Sequence, residues 1–316
     1  MEKNLRKVIK IGNSYYVSLP KIWIRKWGIS DGELVNVSLR EDGVLEILPL
    51  STGEVPRKLV VDCREDLNRK IVSAYLHGYD VIEVTLGMCS LDEVLKKIKP
   101  LLSILTGLEV VEEDSNKISL QCFIRSDYSV IQLLKLMDKL SRGMYLDALK
   151  SLIEKNIKLA ESVIERDNRV DRLYFLTVRV LRTSILKGSL SSKERLLLMD
   201  MRLLARDLEE IADISEEIAR VSIKLLTKEY SETLCLKLES IVRKLSNVQE
   251  KIVDSILSNK HQVKNFRKNL MNIKEQLDSI IDECTRENAL DLMEVGSLIK
   301  MLYSKVLDIE DLLPIL

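Results

Sequence analysis

Apolar residues recur at intervals of three and four from residue 126 to the end of the chain. Ile131, Leu134, Met137 and Leu140 are one example, and this spacing places them on one face of a helix. Breaks in the pattern predict six helices, and they fall near residues 156, 188–191, 229–231, 259–261 and 288. Long helices with short connections form antiparallel bundles. The grouping in threes predicts two three-helix bundles, over 127–228 and 229–316.

The first 125 residues have a different pattern. Turn signals at Gly12, Gly32 and Gly43 divide residues 1–50 into short strands. Residues 51–56 have the composition of a linker. Residues 57–125 alternate strand and helix in the order βαβαββ, which predicts a small sheet with helices packed on it. Within that unit, Ser90 and Glu93 have the spacing of a capping box.

Composition favours this mainly helical, multidomain fold. The 316 residues carry 49 basic and 49 acidic side chains, only 4% aromatic residues and 5 prolines. High charge with few helix breakers argues against an all-β protein, and the scarcity of aromatics argues against a single-strand binder with stacking platforms. Five scattered cysteines without a CxxC pair predict reduced thiols and argue against a cysteine-based zinc site. With neither a signal core nor a long apolar run, we expect a cytoplasmic protein without membrane insertion.

A local basic segment lies at the start of this otherwise neutral chain. Seven of the first 30 residues are basic and one is acidic, which gives a net charge of +6. Such a local positive field is what phosphate neutralisation requires. The charge alone is equally consistent with a solvated surface around a small β core.

The order of residues in this segment is more informative than its charge. Residues 12–21 read GNSYYVSLPK, followed by a short helix, Gly28, Gly32 and a hairpin that closes near Pro49. This run resembles the AbrB/SpoVT/MazE swapped-hairpin family over residues 1–50. The resemblance implies an intertwined homodimer that binds double-stranded DNA. By the same resemblance, Lys7, Lys10, Asn13 and Ser14 lie where that family contacts DNA. Lys21, Arg25 and Lys26 complete the candidate DNA-binding residues as charges that position the phosphates. Tyr15 and Tyr16 stand where that family often has small residues, so base preference does not carry over.

Two acidic pairs on neighbouring helices are the candidate metal ligands. Asp167 and Asp171, like Glu209 and Asp213, are four residues apart, so each pair projects from one side of a helix. If the helices are antiparallel neighbours, the four carboxylates converge. Oxygen ligands suit Fe, Mn, Mg or Ca. The alternative is a solvated charged face whose counter-ions are nearby arginines.

The residues around these pairs resemble the PhoU phosphate-uptake regulator family. The two matching runs are VIERDNRVDRLY (163–174) and ARDLEEIAD (205–213), and the resemblance covers about 127–316. It implies two repeated three-helix bundles, a multinuclear iron or zinc-type cluster on the bundle surface, and a phosphate ABC transporter subunit as a partner. An AbrB-like domain ahead of PhoU resembles an arrangement in archaeal phosphate regulators. In the second repeat the equivalent positions fall near Asn265, Asn269, Ser304 and Asp308, so we expect metal in the first repeat only.

Several functions remain compatible with the sequence. The leading one is a DNA-binding regulator of phosphate homeostasis. A second is an adaptor that docks on a transporter and uses its N-terminal domain only to dimerise. An antitoxin is a third, disfavoured by the 260 ordered-looking residues after the N-terminal domain. An enzyme is the least expected class, because no nucleophile–base pair, P-loop or dinucleotide fingerprint is present. Residues 57–125 are interpreted as a spacer, with ligand binding or dimerisation as alternatives.

Overall fold

The computed structural model describes residues 5–40, 43–50, 56–64, 66–124, 128–187, 190–258 and 265–313. The chain divides into two compact units, Met1–Pro56 and Arg57–Leu316. His261 and most of the expected linker, residues 51–55, lie outside the described residues.

The first unit consists of two β-hairpins around one short helix. Its elements are β1 (Ile9–Ile11), β2 (Ser14–Tyr16), α1 (Lys21–Trp27), β3 (Val35–Leu39) and β4 (Leu45–Pro49). A two-residue turn, Gly12-Asn13, joins β1 to β2, and Gly12 has a φ of +61°, which a glycine adopts without strain. Gly28 ends α1 with a φ of +62°.

This unit has no interior of its own. None of its described residues is buried, and the strands β1 and β2 are exposed along their whole length. The exposed side chains include Ile9, Ile11, Val37, Leu39 and Leu45. A single copy of the unit therefore leaves uncovered the apolar residues that would normally form a core.

The second unit begins with a four-stranded sheet. Its elements are β5 (Lys58–Asp62), α2 (Leu67–Leu76), β6 (Val81–Thr85), α3 (Leu91–Ile104), β7 (Leu108–Glu113) and β8 (Lys117–Cys122). The strand order is β5-β6-β8-β7, with β5 and β6 parallel and the other pairs antiparallel. Residues such as Ile71, Ile82, Ile98 and Leu120 form one buried core between the helices and one face of the sheet. The predicted order βαβαββ is confirmed.

Two local predictions in this unit are wrong. Cys63 and Cys89 form a disulfide, with their Cα atoms 6.5 Å apart. The parallel pairing of β5 with β6 places both cysteines just beyond the same end of the sheet, whereas 26 residues separate them in sequence and give no signal. At α3, Ser90 is the N-cap but its side chain accepts no capping hydrogen bond. A complete capping box instead begins α6, between Ser191 and Glu194.

Six helices follow in the part of this region that the structure describes, as the sequence predicted. They are α4 (Val130–Ile153), α5 (Ile157–Lys187), α6 (Ser192–Leu225), α7 (Glu232–Ser258), α8 (Phe266–Arg286) and α9 (Leu290–Glu310). We call α4–α6 the first bundle and α7–α9 the second bundle. One continuous apolar core runs through both. No helix within the described residues is long and apolar enough to cross a membrane.

Buried polar contacts fix the second unit internally. Between the bundles, Gln249 on α7 donates to Asp138 on α4 at 2.9 Å, and the Tyr145 hydroxyl donates to Gln249 at 3.1 Å. Between the sheet layer and α5, the buried Arg179 guanidinium donates to the carbonyls of Tyr75 and Tyr79 at 2.6 and 2.9 Å. The helix α5 therefore contacts the small α/β layer and also forms one side of the first bundle.

Candidate functional site

The helices α5 and α6 lie side by side and bring together the acidic pairs singled out in the sequence. Val163, Val170, Leu204, Leu208 and Ala212 are buried and hold the inner faces of the two helices against the core. Asp171 and Asp213 directly follow the buried Val170 and Ala212, and Asp167 lies one turn before Asp171, so all three lie at the edge of the contact between the two helices. This placement puts Asp167 and Asp171 of α5 opposite Asp213 of α6.

Three carboxylates form one cluster there. One oxygen from each of Asp167, Asp171 and Asp213 lies within 4.8 Å of the others, and Asp213 is the most exposed of the three. Asp167 Oδ1 is buried and accepts no hydrogen bond from any residue that the structure describes. Three converging oxygens with one orphaned acceptor fit a hard divalent or trivalent cation.

The fourth predicted ligand, Glu209, lies outside that group of three. It is nearly buried, and its Oε2 accepts no well-aligned hydrogen bond although Arg206 Nη1 lies 3.2 Å away. Since Glu209 precedes Asp213 by one turn, it borders the cluster and is held by Arg206. A cation at the cluster would compete with Arg206 for Glu209.

The pKa values of these carboxyl groups are raised by their burial and their closeness to one another. Burial, followed by the negative charges of Asp171 and Asp213, raises the pKa of Asp167 to about 7. Burial and the charge of Asp213 raise the pKa of Glu209 to about 7, against the opposing effect of Arg206. Burial likewise raises the pKa values of Asp171 and Asp213, with Glu216 contributing to the first and Asp171 to the second. Each carboxylate thus holds a proton more tightly than usual, because burial and neighbouring negative charges disfavour its ionised form.

Sequence reasoning missed one member of this neighbourhood. The charge of Glu216 raises the pKa values of Asp167, Asp171 and Asp213, while Arg220 forms an ion pair with Glu216. Glu209, Asp213 and Glu216 are spaced i, i+4 and i+7. The helical period is therefore the signal that could have identified Glu216 as a third acid on the same stripe.

The corresponding part of the second bundle is arranged differently. Asn265 and Asn269 are exposed, and so are Ser304 and Asp308. The Asp308 carboxylate pairs with Lys305 at 3.0 Å. Asp278, which has the i,i+4 spacing with Asp282, pairs with Lys300 at 2.7 Å. Within the described residues, no group of three acidic, histidine or cysteine ligands converges in this bundle.

The candidate DNA-binding residues all lie on the surface of the first unit. Each of the seven is exposed: Lys7, Lys10, Asn13, Ser14, Lys21, Arg25 and Lys26. Asn13 and Ser14 lie at the tip of the β1–β2 hairpin, and Lys10 Nζ lies 5.8 Å from the centre of the Tyr15 ring. Lys21 and Arg25 are one turn apart on α1. The structure therefore divides these residues between a hairpin tip and a short helix.

Comparison with known proteins identifies two regions. Residues 134–222 match the PhoU domain family, and residues 8–54 match the family described as antidote-toxin recognition MazE, bacterial antitoxin. A solved structure of PhoU from Pseudomonas aeruginosa is similar to this chain at 17% identity with a TM-score of 0.45, over 58% of this chain and 88% of that one. No curated protein matches the chain. Neither family description names a catalytic activity. The chain thus joins, in one polypeptide, an N-terminal region similar to the MazE family and a helical region, residues 134–222, similar to the PhoU domain family.

Proposed function

We propose that this protein is a DNA-binding regulator of phosphate uptake and phosphate homeostasis. The observation that carries the proposal is the presence of a MazE-type domain and a PhoU domain in the same chain. The MazE-type domain supplies the contact with double-stranded DNA. The PhoU domain supplies the connection to phosphate, through a phosphate ABC transporter subunit as its partner.

The regulator acts as a homodimer through its first unit. None of the described residues of this unit is buried, and its exposed side chains include large apolar ones such as Leu39 and Leu45. A fifty-residue domain buries little apolar surface by itself. A second copy would cover these side chains, and it would also double the number of basic residues that face one DNA duplex.

DNA binding is tested by the salt dependence of affinity. Fluorescence anisotropy of the full chain on the DNA upstream of its own gene should show a steep fall in binding as salt rises. The double substitution Lys21→Ala with Arg25→Ala should weaken binding to all sequences and reduce the salt slope by about one unit for each phosphate interaction removed. The matched control is Lys96→Ala with Lys97→Ala, two exposed lysines on α3.

The possible outcomes separate regulator from adaptor. Equally weakened binding in the α1 and α3 variants would place the DNA interface outside α1. Absence of binding at low salt, with an intact dimer, would favour an adaptor whose N-terminal domain only dimerises. The dimer itself is measured by light scattering on the full chain and on a chain lacking residues 1–56. The same number of subunits in these two proteins would contradict dimerisation through the first unit.

We also propose that the first bundle binds a metal cluster at Asp167, Asp171 and Asp213, with Glu209 joining when the cation displaces Arg206. The orphaned Asp167 oxygen and the convergence of three carboxylates support this site. A bound cation supplies positive charge that turns repulsion between α5 and α6 into attraction. An all-carboxylate donor set favours a hard cation, and within the iron or zinc type expected from the sequence the harder ion is ferric iron.

A further inference from the structure

The outer face of α6 is covered by α9 along only part of its length. Lys228, just after α6, pairs with Asp291 at the start of α9, and Glu210 within α6 pairs with Lys305 near the end of α9. The two helices are therefore antiparallel. At a rise of about 1.5 Å per residue, the remainder of α9 after Lys305 extends about 7 Å further along α6, which is about five residues before Glu210. The first turns of α6 extend past that point.

Large apolar side chains continue along this face beyond α9. Leu196, Met199 and Leu203 have the spacing i, i+3 and i+7, and they are 61%, 59% and 53% exposed. The same stripe is buried where α9 covers it, at Ile214 and Val221. At the adjoining end of α5, exposed apolar side chains are present as well, at Ile185 and Leu186. We call Leu196, Met199 and Leu203 the α6 stripe.

The charge of this region indicates what kind of surface covers the stripe. Residues 182–203 contain five basic and two acidic residues, a net charge of +3 in a chain of net charge zero. Arg195 and Arg202 are seven residues apart and so lie on one side of the stripe, where Arg202 also donates to the Tyr174 hydroxyl at 2.8 Å, and Asp200 lies on the other side. Two copies of the chain that met at this face would bring like charges together. The net positive charge of the region therefore favours an occupant that is both apolar and negatively charged.

The shape of the surface indicates which kind of apolar, negatively charged partner covers the α6 stripe. The stripe runs along the outside of one helix, whereas a docking peptide helix is usually held in a groove between elements. Leucine and methionine on one side of a helix with arginine and lysine beside them are the features of a helix that lies in the interface of an anionic bilayer. We propose that the first turns of α6 bind the surface of a membrane rich in anionic phospholipids, with the α6 stripe inserted between the headgroups.

Vesicle flotation of the full chain tests this assignment. Protein should float with vesicles of phosphatidylcholine mixed with phosphatidylglycerol, and binding should weaken as salt rises because the arginines contribute. The double substitution Leu196→Ser with Leu203→Ser should lower the partition coefficient about tenfold or more, since burial of one leucine side chain is worth that much. Its control is Leu236→Ser with Met301→Ser, which changes two comparably exposed apolar residues on α7 and α9 and should leave flotation unchanged.

The basic first unit requires a separate control. The variant Lys21→Ala with Arg25→Ala should keep the dependence of flotation on Leu196 and Leu203, which separates this inference from the proposed DNA binding. Equal flotation of the α6-stripe variant and the parent protein would overturn the proposal. So would equal binding to vesicles of pure phosphatidylcholine. Failure to float with any vesicle would also overturn it and would leave an acidic, apolar protein segment as the occupant. A thermal melt of each variant checks that folding is unchanged.

Discussion

The two helical bundles have the same number of described helices, but the charges of their acidic side chains are balanced differently. In the first bundle, Asp167, Asp171 and Asp213 bring oxygens within 4.8 Å of one another. Among the described residues, no lysine or arginine forms an ion pair with these three. In the second bundle, acidic groups on α8 and α9 have cationic partners instead. The pairs are Asp278 with Lys300, Glu310 with Arg267, and Asp308 with Lys305.

This difference separates a binding site from a stabilised surface. A Lys or Arg partner already balances the charge of a carboxylate, so that carboxylate attracts a metal ion less strongly. Where such partners are missing from the described residues, as at Asp167, burial and repulsion raise the pKa, and the negative charge is balanced only by a proton or by a cation from solution. One architecture thus provides a candidate site in one bundle and an ion-paired surface in the other.

The largest expected effect is the response of the first bundle to metal. A cation that binds only the folded state, at a free concentration about a hundred times its dissociation constant, should raise the free energy of unfolding by about 2.7 kcal/mol. Asp171→Asn should remove this gain because it removes one ligand charge. Asp308→Asn should keep it. Thermal unfolding of each variant with chelator and with metal measures this gain in stability. An equal loss of the gain in Asp171→Asn and Asp308→Asn would contradict the difference between the bundles.

A second test removes the positive charge of Lys305, which pairs with acidic side chains. Lys305 Nζ lies 2.7 Å from Glu210 and 3.0 Å from Asp308, and it is 28% exposed. Lys305→Met should lower the free energy of unfolding by about 1–2 kcal/mol, less than breaking a fully buried ion pair costs, because water still reaches the site. Lys300→Met, with a more exposed pair, should cost about 0.5 kcal/mol or less. Denaturant unfolding in chelator distinguishes these values, and their reversal would contradict the role of Lys305 as the cation shared by Glu210 and Asp308.

A third test is the slope of stability with pH. Asp167 and Glu209 have pKa values of about 7 in the folded protein, above their unfolded values. The folded state therefore binds more protons between about pH 4 and 7, and in chelator their contribution to stability is lost as pH rises through that window. Asp167→Asn should flatten the slope, whereas Asp278→Asn should not. Denaturant unfolding at several pH values measures it, and a slope of opposite sign that depends on Asp167 would contradict the pKa shifts.

Much of this arrangement could be predicted from local patterns. The period of apolar residues predicts α4 to α9, and the i,i+4 spacing of acids identifies four carboxylates on α5 and α6. Other contacts depend on tertiary structure and were not predicted. The Cys63–Cys89 disulfide requires the parallel pairing of β5 with β6. The pairing of Glu209 with Arg206 is one of several arrangements that neighbouring arginines allow.

The second bundle illustrates the same limit. The sequence predicts its deficit of ligands from Asn265, Asn269 and Ser304. It does not predict that Lys305 reaches across to Glu210 of the first bundle at 2.7 Å, because that contact depends on how α6 and α9 pack. Residue types at fixed spacing can therefore be assigned before the structure, whereas ion-pair partners between distant helices cannot.

Whether metal binds in the first bundle and only there is tested most directly by counting the metal bound per chain. Inductively coupled plasma mass spectrometry gives this count on protein purified without chelator and then dialysed. The parent protein and the variant Asp278→Ala with Asp308→Ala should hold the same amount. The variant Glu209→Ala with Asp213→Ala should hold none. Full loading of this last variant, or a metal-free parent protein that takes up no iron, zinc or manganese, would contradict the account.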